Sequence, residues 1–307
     1  MNRIIKIGTR DSQLAVWQAE FISSLLNKKG IQTQLEFIKS DGEMDLVSPL
    51  YEMGVQGIFT KTLDIALLNN RIDLAVHSLK DVPTRLPENL MIAAIPERAS
   101  WKDVLVYTSD SPDPNSTDNY IVATSSLRRR AQWLHKYPTH QTDVLRGNIN
   151  SRLKKLKHSK TWGGALFAAA GMDRIQLKVP NKIELDWMLP APSQGALAVV
   201  CRKDDSETIE SCQSLNHSPT SLGVTAERQF LRTLMGGCTM PVGALGEVIG
   251  NQLHFRGNVF TVDGRHKVEV ERTFPLSESQ NAGILAGEWV LNNGGSEIVQ
   301  TFKNLRP

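Results

Sequence analysis

Residues Ile4-Ile5-Lys6-Ile7-Gly8-Thr9-Arg10-Asp11-Ser12-Gln13-Leu14 open on a short isoleucine-rich run and pass at once into a helix start. Ile4 to Gly8 reads as a strand. Ser12 stands where an N-cap belongs, and Leu14, Trp17, Phe21 and Leu25 recur at helical spacing until Gly30 closes the segment. Ile31 to Ile38 resumes as a strand. A strand, a helix and a second strand in such close succession form a βαβ unit, which predicts an α/β protein with a mostly parallel sheet.

The same alternation continues outward. Phe59 to Leu68 reads as a helix and Ile72 to Val76 as a buried strand, with Ser78-Leu79-Lys80-Asp81 just beyond it. The proline- and aspartate-rich stretch Ser109 to Asn119 reads as a loop. A second series follows: strand Tyr120 to Ala123, helix Leu127 to Lys136, strand Asp143 to Leu145 and helix Ile149 to Leu156. Pro190-Ala191-Pro192 breaks the chain before a strand, Ala196 to Cys201. Ser218-Pro219 reads as an N-cap with proline at the first helical position, opening a helix to Met235 that Gly236-Gly237 ends. Beyond it, Val242 to Ile249, Leu253 to Val262 and Lys267 to Phe274 alternate as antiparallel strands, with Gly250-Asn251 and Asp263-Gly264 at the hairpin positions. A helix over Glu278 to Leu291 completes a small α+β part.

Composition sets the outer limits. The chain has 307 residues, 40% hydrophobic and 22% charged, which suggests two or three domains. Lys+Arg of 35 against Asp+Glu of 32 leaves +3, no global signature of nucleic acid or membrane binding. No apolar run approaches bilayer length, and Met1 to Gly8 lacks the apolar core of a signal peptide, so a cytoplasmic protein is expected. Three cysteines and seven histidines without ligand spacing predict neither a disulfide framework nor a metal site.

Arginines recur beside strand ends and helix starts. Arg10 follows the first strand, Arg128-Arg129-Arg130 follow Thr124-Ser125-Ser126, and Arg146 and Arg152 flank Gly147-Asn148. In a parallel sheet these loops converge, and free N–H groups and the helix dipole there favour anions. Any one arginine reads equally as solvated surface, and Arg130 keeps that reading because three successive helical residues cannot share a face. The set predicts a ligand with several negative groups. Lys80-Asp81 reads either as a plain salt bridge or as a catalytic pair whose carboxylate stabilises cationic or N–H-bearing species. Cys201 and Cys212 read as buried hydrophobes. Cys238, after two glycines, reads either as another inert cysteine or as a nucleophile or attachment point. His77 reads as structural.

Taken in order, Ile7-Gly8-Thr9-Arg10-Asp11-Ser12, Ala75-Val76-His77-Ser78-Leu79-Lys80-Asp81-Val82-Pro83, Thr124-Ser125-Ser126-Leu127-Arg128-Arg129, Leu145-Arg146-Gly147-Asn148, Gln194-Gly195-Ala196, Ala226-Glu227-Arg228 and Gly236-Gly237-Cys238 resemble the porphobilinogen deaminase (hydroxymethylbilane synthase) family. Each block alone is weak, and their ordered combination is specific.

The resemblance implies two type II periplasmic-binding-protein-like α/β domains, over 1–97 with 195–216 and over 98–194. A small α+β domain with a three-stranded antiparallel sheet would follow over 217–307. It implies a transferase that condenses four porphobilinogen molecules head to tail, with loss of ammonia, into the linear tetrapyrrole hydroxymethylbilane of porphyrin and haem biosynthesis. A dipyrromethane cofactor would be held by a thioether to Cys238, and Asp81 would be catalytic. Arg10, Ser12, Lys80, Thr124, Ser125, Ser126, Arg128, Arg129, Arg146, Arg152, Gln194 and Gly195 would line the cofactor and substrate site, with Phe59, Arg98 and Arg174 as weaker matches. A monomer binding neither nucleic acid nor membrane is expected.

The chain departs from the family pattern in places. Glu52 and Gln56 stand where many members have lysine, in a segment resembling a lid, and Thr62 and Asp64 replace glutamates. Trp162-Gly163-Gly164 replaces a more usual Tyr-Asp-Ala. Two other classes compete. A non-catalytic two-lobed anion- or solute-binding protein explains the arginines but not Asp81 or Cys238. A nucleic-acid binder would use Arg128 to Arg130 and the basic run Arg152 to Lys157, which reads more simply as a solvated face without aromatic stacking partners.

Overall fold

The computed structural model describes residues 3–39, 60–108, 113, 115, 119–179, 181–234 and 240–304. In chain order the first elements are Ile5–Thr9 (β1), Gln13–Asn27 (α1), Thr33–Phe37 (β2), Lys61–Leu68 (α2), Leu74–Ser78 (β3) and Leu90–Ala94 (β4). Then come Asp103–Val106 (β5), Ile121–Ala123 (β6), Leu127–Lys136 (α3), Gln141–Asp143 (β7), Ile149–His158 (α4), Gly164–Ala168 (β8), Ala169–Arg174 (α5) and Lys182–Glu184 (β9). Leu197–Arg202 (β10), Ser206–Gln213 (α6) and Ser218–Thr233 (α7) follow. The chain closes with Val242–Ile249 (β11), Gln252–Phe260 (β12), Lys267–Pro275 (β13), Ala282–Val290 (α8) and Ser296–Asn304 (α9).

The described residues within Met1–Met44, Val55–Ala99 and Gly195–Ser221 form one compact unit; those within Ser100–Gln194 and Leu222–Pro307 form another. The first unit carries a five-stranded sheet in the order β2-β1-β3-β10-β4. β1 is parallel to β2 and β3, while β10 is antiparallel to both its neighbours. Four strands therefore run one way, and the one arriving late in the chain runs against them. The second unit repeats this plan as β7-β6-β8-β5-β9, with β5 as the reversed strand, and adds the antiparallel sheet β11-β12-β13. The expected mixed α/β architecture with a C-terminal three-stranded antiparallel sheet is thus observed.

Local chemistry explains the elements. Ser12 Oγ accepts from the Ala15 amide to start α1, and Gly30, at φ +79°, turns the chain after it in the left-handed region. The buried face of α1 is Gln18, Ala19, Ile22 and Leu26, packed with Ile5, Ile7, Leu74 and Val76. The predicted stripe of Leu14, Trp17, Phe21 and Leu25 lies beside that face and is only half-buried. Trp17 stacks on Phe21 at 5.2 Å along its margin. Burial of Ile22 and Leu26 is worth roughly 1.5–3 kcal/mol each.

In the second unit the period of two in β5 separates two cores. Val104 and Val106 join the cluster beneath α4 and α5, and Leu105 joins the cluster of Tyr120, Val122 and Trp133 beneath α3. A third core joins Phe230 of α7 and Leu234 just after it to Phe255 and Val259 of β12 and to Ala286 of α8.

Three details correct the sequence reading. The strand expected over Asp143 to Leu145 is Gln141–Asp143, because Leu145 already belongs to the loop before α4. Helix α7 begins at Ser218, so Ser218 is not its cap; His217 precedes it and its Nδ1 accepts from the Thr220 amide at 3.4 Å. The helix expected over Glu278 to Leu291 starts as a 3-10 turn, Leu276–Asn281, before α8.

Candidate active site

In the first unit, the carboxyl ends of β1 and β3 bring their loops to one edge of the sheet. Arg10, Ser12, Leu14, Ala15, Gln18, Leu63, Val76, His77, Ser78 and Asp81 line one pocket there. Ser12 serves twice, capping α1 and facing this pocket. Gln18 donates from Nε2 to Ser78 Oγ at 2.8 Å, which fixes the strand end. Lys80 and Asp81 sit on a single 3-10 turn, Leu79–Asp81, anchored where the Leu79 amide donates to the Ala196 carbonyl at 3.0 Å. Asp81 is exposed and Lys80 half-buried.

His77 is buried, and its Nε2 has no hydrogen-bond partner among the described residues. Burial first, and the charge of Arg10 second, pull its pKa down to about 4, so the imidazole is neutral at physiological pH. Gly195 holds φ +88°, and its carbonyl accepts from the Ala99 amide. Arg98 is half-buried, its amide donating to Thr220 Oγ1 at 3.1 Å.

The second unit gathers the other predicted residues around two helix starts. Ser126 caps α3, accepting from the Arg129 amide, and its own amide donates to Thr124 Oγ1 at 3.2 Å. Ser125 Oγ donates to the Leu145 carbonyl at 2.8 Å and accepts from the Leu145 amide at 3.1 Å, tying this loop to the one after β7. Asn148 caps α4 through the Ser151 amide at 2.9 Å. Gly147 sits at φ +110°, and its carbonyl accepts from Arg152 Nε at 2.7 Å. Arg146 Nη1 is buried without a hydrogen-bond partner among the described residues.

Asp103, for which the sequence pattern predicts no role, organises this half. Asp103 is fully buried and pairs with Arg128 Nη1 at 2.7 Å and Arg129 Nη2 at 2.7 Å. It also accepts from Gln194 Nε2 at 3.0 Å. Burial alone would raise its pKa, but the two guanidiniums and Gln194 outweigh that and hold it at about 2. Arg129 is spent inside this cluster, donating again to the Leu166 carbonyl at 3.0 Å. Arg128 donates to the Leu189 carbonyl at 2.7 Å and keeps a buried Nε without a partner. Two cations against one carboxylate leave a surplus positive charge, which suits an anionic guest. A charged residue opening an otherwise apolar strand, Asp103-Val104-Leu105-Val106, was the available signal. Arg130 is exposed, as expected. Arg174 is buried, which draws its pKa down to about 10. Phe59 and Cys238 lie outside the described residues, as do Glu52 and Gln56.

These residues fit a group bearing several carboxylates: the orphaned Arg146 and Arg128 nitrogens and two capped helix starts all offer donors to anions. Among the described residues no cluster of His, Cys, Asp and Glu could hold a metal ion, and no helix is long and apolar enough to cross a membrane.

Residues 5–210 match the family model described as porphobilinogen deaminase, dipyrromethane cofactor binding domain, and residues 221–292 match the porphobilinogen deaminase C-terminal domain. The chain belongs to the porphobilinogen deaminase family. Relatives named porphobilinogen deaminase include that of Chloroherpeton thalassium, 39% identical across 97% of this chain and 98% of the relative. That of Chlorobaculum tepidum is 38% identical across the whole of both. Among solved structures, the methionine-binding protein MetQ aligns at 15% identity and a TM-score of 0.43, over 69% of this chain and 89% of that one. Membership in the deaminase family supports the transferase reading over the non-catalytic binding protein, since both family domains, the cofactor-binding one included, are present.

Proposed function

We propose that this chain performs the family's reaction with Asp81 as its catalytic carboxylate and Cys238 as the cofactor's attachment point. The reaction condenses four porphobilinogen molecules into hydroxymethylbilane. The observation that carries the assignment is the first unit's pocket, where Arg10, Ser12, Ser78 and Asp81 meet at the ends of two parallel strands. When bound, dipyrromethane supplies the pyrrole terminus on which the chain is extended.

Loss of ammonia from porphobilinogen leaves positive charge on the substrate pyrrole and its nitrogen. An exposed carboxylate on a rigid turn offsets that charge and accepts from the pyrrole N–H without moving. Each substrate ring also brings an acetate and a propionate. Arg10, Ser12, Lys80, Thr124, Ser125, Ser126, Arg128, Arg146 and Arg152 are the groups we assign to those carboxylates. Arg129, Gln194 and Gly195 hold the surrounding frame in this reading. The neutral His77 adds no positive charge beside Arg10.

The three sheets, each with its own core, support a three-domain division over 1–97 with 195–216, 98–194 and 217–307. We further assign a cytoplasmic monomer acting on porphobilinogen alone, with no nucleic acid or membrane partner. The direct test is Asp81→Asn. Because Asp81 is exposed, the variant is expected to melt with wild type while kcat falls by about 10²–10⁴. A near-normal rate would remove Asp81 from the mechanism.

A further inference from the structure

Glu227 is the one fully buried carboxylate of α7 (0% exposed), and the helix leads in sequence to Cys238. Its two oxygens are divided between two segments. Oε2 accepts from the Ser193 amide at 2.5 Å, and Oε1 accepts from the Gly246 amide of β11 at 2.8 Å. Ser193 is held at φ +67°, a left-handed conformation that costs a non-glycine residue about 1 kcal/mol or more and persists only where contacts impose it.

The segment around Ser193 is also bound on its other side. The Leu189 carbonyl accepts from Arg128 Nη1 and from Gln132 Nε2 at 2.9 Å, and the Leu189 amide donates to Gln132 Oε1 at 2.9 Å. The Pro190 carbonyl accepts from the Ala244 amide at 3.0 Å. Gln194, next to Ser193, donates to Asp103 between the two arginines. Residues 189–194 thus form a strap, bound through Leu189 and Gln194 to α3, Arg128 and Asp103, and through Pro190 and Ser193 to β11 and Glu227.

We propose that Glu227 is a positioning residue that keeps α7, the helix that leads in sequence to Cys238, in register with the Arg128–Asp103–Arg129 cluster, acting through this strap. The inference rests on the function proposed above. A carboxylate suits this place because the Ser193 and Gly246 amides are both N–H donors. Glutamine keeps the size but turns an amide N–H toward one of them, while the helix itself is left intact. The register that is lost is that between α7 and the anion-binding groups, where a displacement of an ångström is costly to the rate.

The test combines Glu227→Gln, Asp103→Asn and the double variant, with kcat and KM measured per molecule shown by intact mass to carry the cofactor. Each single variant is expected to lose about 10- to 100-fold in kcat/KM per loaded molecule. The double variant is expected to lose little more than the worse single one, because both break the same strap. A purely structural Glu227 would lower the yield or melting temperature and leave the loaded molecules at wild-type kinetics. That result, or losses that multiply within about twofold, would overturn the proposal. Failure of Glu227→Gln to load while it still folds supports it.

Amide exchange of the wild-type protein decides the matter if the variants do not fold. The Ser193 amide is expected to be as protected as those inside α7, and exchange at the rate of an open loop contradicts the proposal. An unloaded, inactive wild type would instead sink the function proposed above and leave the exchange result to stand by itself.

Discussion

At the scale of single residues, burial decides more than identity does. His77 and Asp81 lie four positions apart and line the same pocket, yet one is sealed and the other exposed. The His77 pKa, drawn down to about 4 by burial and by Arg10, makes a stability prediction with a definite sign. Between the usual imidazole range and about pH 4 the unfolded chain binds a proton that the folded one does not, so stability falls on acidification through that window. The expected slope from this residue is about 1.4 kcal/mol per pH unit. Urea midpoints of wild type and His77→Gln between pH 7.5 and 5 should diverge, the variant losing less; parallel losses would place the acid sensitivity elsewhere. Asp103 is held charged where His77 is held neutral, and its effect on acidification has the same sign. Its depressed pKa contributes stability above the usual carboxylate range that is lost as pH falls toward about 2.

At the scale of elements, turns and caps place the site, and two glycines show how. Gly264, at φ +74°, lies in the β12–β13 loop, and an added Cβ there would run into the Ala131 carbonyl of α3. Gly250, at φ +58° in the β11–β12 turn, has nothing within 4 Å of the same position. Both alanine variants suffer the backbone strain of about 1–2 kcal/mol, but only Gly264→Ala also pushes the hairpin off the arginine-bearing helix. Thermal melting should show Gly264→Ala clearly the less stable; equal melting temperatures would mean the hairpin yields freely. Ser126→Ala should cost about 1 kcal/mol through the lost α3 cap.

Helix α3 and the first βαβ unit were legible because their caps and apolar periods are local. Asp103 and Glu227 were not assigned a role, because their partners lie far along the chain: Arg128 and Gln194 for one, Ser193 and Gly246 for the other. The exchange of Tyr-Asp-Ala for Trp162-Gly163-Gly164 became intelligible only in three dimensions. A Cβ on Gly163 would collide with the Tyr120 ring, and Trp162 Nε1 donates to Asp143 Oδ2 at 2.6 Å.

At the scale of the whole molecule, the modest net charge of +3 hides an uneven distribution, with Arg128, Arg129, Arg146 and Arg152 gathered at the helix starts of the second unit and Arg10 after the first strand. The cysteines divide in the same way. Cys201 and Cys212 are buried, and burial pushes their thiols up to about 11 and about 12, so both should resist thiol reagents in the folded protein. After denaturation two thiols should titrate if Cys238 carries a thioether, and three if it does not. The most direct measurement is the intact mass of wild type and Cys238→Ser, both produced in cells that make porphobilinogen. Wild type is expected to carry the added mass of two linked pyrrole units and to turn over substrate, with Cys238→Ser unmodified and inactive. A wild type that is unmodified and stays so after incubation with porphobilinogen would contradict the account.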